Sequence, residues 1–401
     1  MVKSQSVKKT TTTTKKTTKT AKTKSVVDYK KPENDYFSLD AILSYEADYN
    51  IIFGERSNGK TYATLKYAIE QFVKSGYQNQ TAIVRRWKED IRGKRADTLF
   101  NALEINGEIQ QITNGMYSEV VYYDGKFYLS NYDADLKKHI RFNEPVAYTF
   151  ALSDVEHDKS TSYPKITTVI FDEFITRRYY LNDEFILFMN VLSTIIRQRD
   201  NVKIFMLGNT VNKYCPYFVE MGLKHIAEMK QGSIDIYRFA RGKLKIAVEY
   251  TAPTKREKAS NKYFAFDNSA GMDMIINGAW ELAIYPHLNV KYTKSDIVFT
   301  YFIEFGDNLL QCEIICKNNE YFTYIHEKTT PIQNPDKDLI YSLKHNEKAN
   351  YKRRLLSTAT KYERMIAEFY ALEKVFFQNN EIGEIVRNYI MQSTQSLFAK
   401  V

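Results

Sequence analysis

Gly54, Gly59, Lys60 and Thr61 fall in the pattern G-x-x-x-x-G-K-[ST], inside the stretch IIFGERSNGKTY. An apolar run that reads as a strand precedes them and a periodic segment that reads as a helix follows. These residue types at this spacing suit a chain of phosphates. The glycines let the backbone curl so that successive N–H groups of Arg56, Ser57 and Asn58 face an anion, and the helix N-terminus adds positive potential. Lys60 has the reach to meet the β and γ phosphates of ATP, and Thr61 carries a hydroxyl suited to Mg²⁺. A Gly-rich strand-to-helix turn with no such role needs no Lys-Thr pair.

A second constellation lies in ITTVIFDEF, an apolar strand ending in Asp172 and Glu173. A second parallel strand presents both carboxylates at its C-terminal edge, Asp172 suited to hold Mg²⁺, often through water, and Glu173 to polarise an attacking water. A glutamate there points to hydrolysis rather than transfer to a second substrate. One strand later, NVKIFMLGNT ends in Asn209, a neutral amide suited to sensing the γ phosphate or orienting water, or else a plain strand-end turn.

The elements that must position these groups alternate, strand-like runs with helical periodicity, which is the signature of an α/β domain with a mostly parallel sheet. Strands are expected at Tyr49 to Phe53, Thr81 to Arg85, Ala147 to Leu152, Thr167 to Phe171 and Val202 to Leu207. The helix after the glycine-rich stretch gathers Ala63, Leu65, Ala68, Ile69, Phe72 and Val73 roughly on one face, and Gly76 supplies its stop. DEFILFMNVLSTIIR reads as a second amphipathic helix, with Phe185, Phe188, Met189, Leu192 and Ile196 on a common face.

The chain has 401 residues, enough for two domains, and 31 Tyr with 24 Phe make it unusually aromatic. The first 31 residues hold ten lysines against one aspartate, which leaves 47 basic and 47 acidic side chains in the remainder. All the net charge therefore sits in that tract, and so few apolar groups cannot offset ordering entropy; residues 1–35 are expected to be a disordered Lys/Thr-rich tail. It is either a solubilising tail or a salt-sensitive grip on nucleic acid. No run approaches the ~20 apolar residues of a membrane helix, and no secretory signal is visible, so no membrane partner is expected. Cys215, Cys312 and Cys316 do not make a zinc set.

Polar, basic PTKREKASN marks the end of a first domain at 36–252, followed by a linker region at 253–283 and a C-terminal domain at 284–401. In that last domain DIVFTYFIEFGDNLLQCEIICKNNEYFTYIHE reads as three strands joined by turns at Gly306-Asp307-Asn308 and Lys317-Asn318-Asn319. Helical periodicity returns over the last forty residues.

Together GERSNGKT, IVRRWKEDIRGKR, VIFDEF and FMLGNT resemble the DNA-packaging ATPases of small tailed bacteriophages, the phi29-type encapsidation family related to large-terminase motors. The resemblance covers Tyr49 to about Tyr250. It implies an ASCE/RecA-like P-loop NTPase domain followed by a small α+β RNase H-like domain. It also implies a Mg²⁺-dependent, DNA-stimulated ATP hydrolase that drives double-stranded DNA through the portal of an empty procapsid. Such a motor is a homopentameric ring in the host bacterial cytoplasm, at the portal vertex and absent from the mature virion; whether a structural RNA takes part is open.

The resemblance further implies an arginine supplied to the neighbouring subunit's site. Arg197 and Arg199 of IIRQRD both fit, as does a surface ion pair, and Arg56 fits a phosphate sensor. For the DNA grip it implies Arg86, Lys88 and Lys159, whose alternative is that they are solvated loop charges. Metal-dependent nucleases of the RNase H-like class need several converging carboxylates. Here only Glu304 and Glu313 lie on the strand pair, so a degenerate nuclease kept for docking is expected. The competing readings are a helicase or partition type of P-loop ATPase acting on nucleic acid, and a non-enzymatic nucleotide-binding scaffold, which Glu173 disfavours.

Overall fold

The five apolar runs are strands, and four of them are buried along almost their whole length because alternate side chains feed two different apolar layers. The computed structural model describes residues 24–26, 36–154, 161–176, 180–181, 183–210, 215–252, 285–306 and 308–394. Its first sheet contains β1 (Lys24–Val26), β2 (Tyr49–Gly54), β3 (Gln80–Arg85), β4 (Glu119–Tyr123), β5 (Lys126–Asp133) and β6 (Lys138–Arg141). It continues with β7 (Ala147–Ala151), β8 (Ile166–Asp172), β9 (Lys203–Asn209), β10 (Ser233–Phe239) and β11 (Leu244–Tyr250). The order is β1-β10-β11-β2-β9-β8-β3-β7-β5-β4, with β6 paired to β5.

The central strands from β11 to β7 are parallel. β9 lies between the phosphate-loop strand β2 and the Asp172 strand β8, which is the ASCE arrangement. Its register sets Gly54 beside Asn209 and Asp172 beside Leu207, so three candidate groups reach one sheet edge. On one face Ile51, Phe53, Val169, Phe171 and Met206 pack with Phe188, Val191, Leu192 and Ile195 of the helix Glu184–Ile196. On the other, Ile52, Ile83, Ile170, Phe205 and Leu207 pack with Leu65, Ala68, Ile69 and Phe72 of the helix Lys60–Lys74. The helix Glu184–Ile196 is rotated from the expected face: Val191 and Ile195 are buried, whereas Phe185, Met189 and Ile196 flank the core.

Three features depart from the sequence reading. β4, β5 and β6, which follow β3 in the chain and precede β7, form an antiparallel extension beyond β7, and β10 with β11 forms a hairpin on the opposite flank. Within the tract expected to be disordered, Lys24–Val26 pairs antiparallel with Ile234–Ile236 of β10. The correction has a simple cause: β10 otherwise presents an open row of N–H and C=O groups, which accepts a short extended segment whatever its side chains. The rest of the expected tail up to residue 23 lies outside the described residues.

The C-terminal sheet has β12 (Ile297–Phe305), β13 (Asn308–Lys317), β14 (Glu320–Glu327), β15 (Leu339–Ser342), β16 (Tyr351–Lys352) and β17 (Val375–Phe377). Their order is β16-β15-β12-β13-β14-β17. The expected three-stranded meander is present, and Asn318 and Asn319 adopt φ 53° and 63°, as a two-residue hairpin turn requires. β15 and β16 add in parallel beyond β12, which is the RNase H-like pattern. Helices Lys361–Ala371 and Asn380–Thr394 cover one face through Ile366, Phe369, Ile385 and Tyr389. The expected linker region 253–283 lies outside the described residues. Among the described residues no helix is long and apolar enough to cross a membrane.

Candidate nucleotide site

The phosphate loop leaves β2 at Gly54 and enters the helix Lys60–Lys74 at Gly59, whose φ of 96° is one that a side chain disfavours. Asn58 in the loop and Lys60 at the helix start are buried, while Arg56 and Ser57 are exposed at the tip. The Lys60 ammonium donates to Asn58 Oδ1 at 3.1 Å, to Asn209 Oδ1 at 3.3 Å and to the Glu55 carbonyl. Burial pulls its pKa down to about 8, against the opposing pull of Asp172 and Glu55. The loop is thus folded round its own lysine, whose donors have acceptors that phosphate oxygens can replace. Asn58 is itself held by a hydrogen bond from Nδ2 to Thr251 Oγ1 at 2.9 Å, and the Thr251 N–H donates to the Phe53 carbonyl.

Across β9, Asp172 stands 9% exposed and Glu173 63% exposed. The Thr61 hydroxyl lies 3.3 Å from both Asp172 oxygens. One hydroxyl and one carboxylate beside a phosphate site form the sparse, hard-oxygen donor set that Mg²⁺ uses with substrate phosphates and water, so these residues fit that ion. A cavity of about 270 Å³ opens over Lys60 and Thr61, bounded by Ser57, Asp172, Glu173 and Asn209. Lys60, Thr61, Asp172, Glu173 and Asn209 are therefore brought together as expected.

One residue the sequence reading missed stands against the two carboxylates of the site. Arg85 bridges the two carboxylates, 2.8 Å from Asp172 Oδ2 and 3.0 Å from Glu173 Oε2. The signal was strand register: Val84 pairs with Phe171, so the next residue on β3 falls beside Asp172. The Glu173 backbone has φ 62°, uncommon for a side-chain-bearing residue, and the Phe174 N–H is tied to the Leu207 carbonyl at 3.1 Å. Gly208 allows this approach, since a Cβ there would meet Ile175 at 2.9 Å.

The expected cations fare differently. Arg86 does not face DNA: it is 6% exposed and its guanidinium is bidentate with Glu184 at 2.7 and 2.9 Å. Apolar surroundings make pairing obligatory for such a charge; burial alone lowers its pKa, but Glu184 outweighs that and raises it. Lys88 is half-exposed but ion-paired with Asp154, and Lys159 lies outside the described residues. Arg199 gives its guanidinium donors to the carbonyls of Tyr163, Pro164, Ile166 and Ile195, so it staples the segment before β8 to the end of a helix. Arg197 is more open, with one bond to the Thr161 carbonyl.

In the C-terminal sheet Glu313 accepts from Tyr292 and Gln311, each at 2.6 Å, with His326 at 3.6 Å. These donors hold its pKa below the usual range although burial pushes the other way. Glu304 pairs with Leu309, four positions along β13 from Glu313 and hence roughly 14 Å away at the strand rise. The two do not share a centre, and among the described residues no group of three or more His, Cys, Asp or Glu could hold a metal.

The model of the podovirus DNA encapsidation protein (Gp16) family matches residues 32–394. The chain belongs to that family. It is 32% identical over 185 residues to a DNA packaging protein of Bacillus phage B103, covering 45% of this chain and 50% of the relative. To the DNA packaging protein of Bacillus phage phi29 it is 28% identical over 191 residues, covering 47% and 50%. The chain thus spans about half the length of the curated relatives it matches. The family fold extends further: a chain of the bacteriophage Phi-29 viral genome packaging motor assembly superposes with TM-score 0.56 at 20% identity, covering 90% of this chain and all of that one. The Phi-28 gp11 DNA packaging motor gives the same TM-score at 16% identity, over 91% of this chain and 99% of that one.

Proposed function

We propose that this chain is the ATP-hydrolysing motor that drives double-stranded DNA into a preformed capsid, working with Mg²⁺ as a ring of identical subunits. The observation that carries the reading is the convergence of Lys60, Thr61, Asp172, Glu173 and Asn209 on one cavity in a chain of the encapsidation family. Bound through Thr61 and Asp172, Mg²⁺ would supply positive charge against the β and γ phosphates. The loop N–H groups and Lys60 orient the phosphates, and Asn209 stands where it can hold a water. Glu173 takes up the proton of that water, while Arg85, paired with both carboxylates, offsets their mutual repulsion and fixes their places. ATP turnover measured with and without duplex DNA tests the proposal; turnover that DNA does not raise would count against a motor on DNA.

Arg199 and Arg197 lie near the start of β8, six residues and roughly 20 Å from the Asp172 end, so neither reaches the site of its own subunit. Arg197 is the one free enough of backbone staples to serve a neighbour. An Arg197→Ala chain is expected to be inactive alone and to regain hydrolysis when mixed with Glu173→Gln chains, because some junctions then join an intact Glu173 to an intact Arg197. Absence of rescue at any ratio, with assembly confirmed, rules out that role.

Residues 1–23 carry seven lysines and no acid, and a polycation binds duplex DNA by releasing counterions. Removing them while keeping β1 should weaken DNA binding at low salt and flatten its salt dependence, yet leave DNA-stimulated turnover intact at saturating DNA. Loss of the stimulation itself would place the working grip in the tail. The C-terminal sheet, with Glu304 opposite Ser342 and no converging carboxylates among the described residues, is read as a degenerate nuclease that docks to the portal or to nucleic acid.

A further inference from the structure

We propose that the buried Arg86–Glu184 pair is a positioning device for hydrolysis, setting where the Glu173 carboxylate stands by gripping the backbone of its turn. The inference rests on the reading of Glu173 as the group that activates water. Arg86 Nη1 donates to the Glu173 carbonyl at 3.1 Å and Nη2 to the Phe174 carbonyl at 2.8 Å. The other side of the same guanidinium binds Glu184, through Nε at 2.7 Å and Nη2 at 2.9 Å. Glu184 is locked in turn: its Oε1 accepts from the Tyr217 hydroxyl at 2.8 Å and its Oε2 from the Leu181 N–H at 2.7 Å. The Tyr180 ring lies 5.0 Å from the guanidinium carbon.

Three features argue for positioning rather than stability alone. Exchange of a buried ion pair for apolar side chains is often neutral or stabilising, so stability is a weak reason for this one, whose members are 6% and 2% exposed. The carbonyls it grips belong to Glu173, whose backbone takes a left-handed conformation that needs support from outside, and to Phe174, the next residue of the turn. Finally, Arg85 and Arg86 hold one turn from two sides, the first by the Glu173 carboxylate and the second by its carbonyl. Only a planar fork can join a carboxylate to two carbonyls in this way, and a lysine has no equivalent.

The test replaces the cluster by apolar groups of similar volume, Arg86→Met with Glu184→Leu and Tyr217→Phe, in the full chain. We expect a folded protein whose ATP affinity stays within about threefold of wild type while kcat falls at least about 30-fold, the pattern of a lost transition-state interaction. Arg86→Lys, which keeps the charge but not the fork, should show the same split between kcat and KM. Either variant hydrolysing ATP within about threefold of wild type, alongside an inactive Glu173→Gln chain, overturns the inference and spares the catalytic reading. A parallel loss of ATP affinity and kcat also overturns it, in favour of a purely structural role. If Glu173→Gln itself turns over normally, the reading of Glu173 fails, and this inference with it. Should the triple variant not fold, Arg86→Lys alone decides.

Discussion

Glu173→Gln should bind ATP within about threefold of wild type and hydrolyse it at least about 100-fold more slowly, the range expected for loss of a general base. Glutamine has the same shape and keeps an oxygen for Arg85 Nη1, which now stands 3.0 Å from the carboxylate. It cannot take the proton of water. Lys60→Ala should fail at the earlier step, because its ammonium sits among the loop acceptors that phosphates replace, and nucleotide affinity falls with it. Single-turnover hydrolysis alongside equilibrium nucleotide binding separates the two. Near-normal turnover in Glu173→Gln would leave the site a phosphate cradle with its base elsewhere.

The phosphate loop was legible because its pattern is short-range: the glycines, Lys60 and Thr61 act within a few residues of one another. The central strands were legible because burial on both faces leaves continuous apolar runs, as in β2, β3, β8 and β9. What failed was the assignment of neighbouring cations. Arg85 and Arg86 are adjacent and chemically identical, and only the alternation of β3 against β8 sends the first to the carboxylates and the second into the core beside Glu184. Arg199 likewise looks like a surface charge until the segment leading into β8 folds back and offers it three carbonyls beside that of Ile195. β4 to β6 escaped notice because β4 is short and mostly half-buried, polar residues break up β5, and β6 is exposed throughout. No local pattern marks Lys24–Val26, since its strand state comes from the open edge of β10.

Gly54→Ala is expected to lower nucleotide affinity at least about 30-fold and to destabilise the fold by about 1–3 kcal/mol, the usual range for overpacking. An added Cβ would lie 1.9 Å from Thr251 Oγ1, closer than atoms approach, and a tight 3.1 Å from its Cβ. Thr251 is not free to retreat. Its N–H is bonded to the Phe53 carbonyl and its hydroxyl receives Asn58 Nδ2, while Asn58 Oδ1 holds the Lys60 ammonium. Relief of the clash therefore passes from Thr251 through Asn58 to the lysine that grips the phosphates. This route makes a prediction that strain at Gly54 alone would not. Thr251→Gly removes both offending side-chain atoms, so the Gly54→Ala, Thr251→Gly pair should bind nucleotide better than Gly54→Ala alone, although Thr251→Gly by itself weakens binding. Such a reversal of sign is the mark of two residues in contact, and distant sites would simply add. If the double variant is as impaired as the sum of its parts, Thr251 does not govern the loop, and the effect of Gly54→Ala lies in the backbone alone.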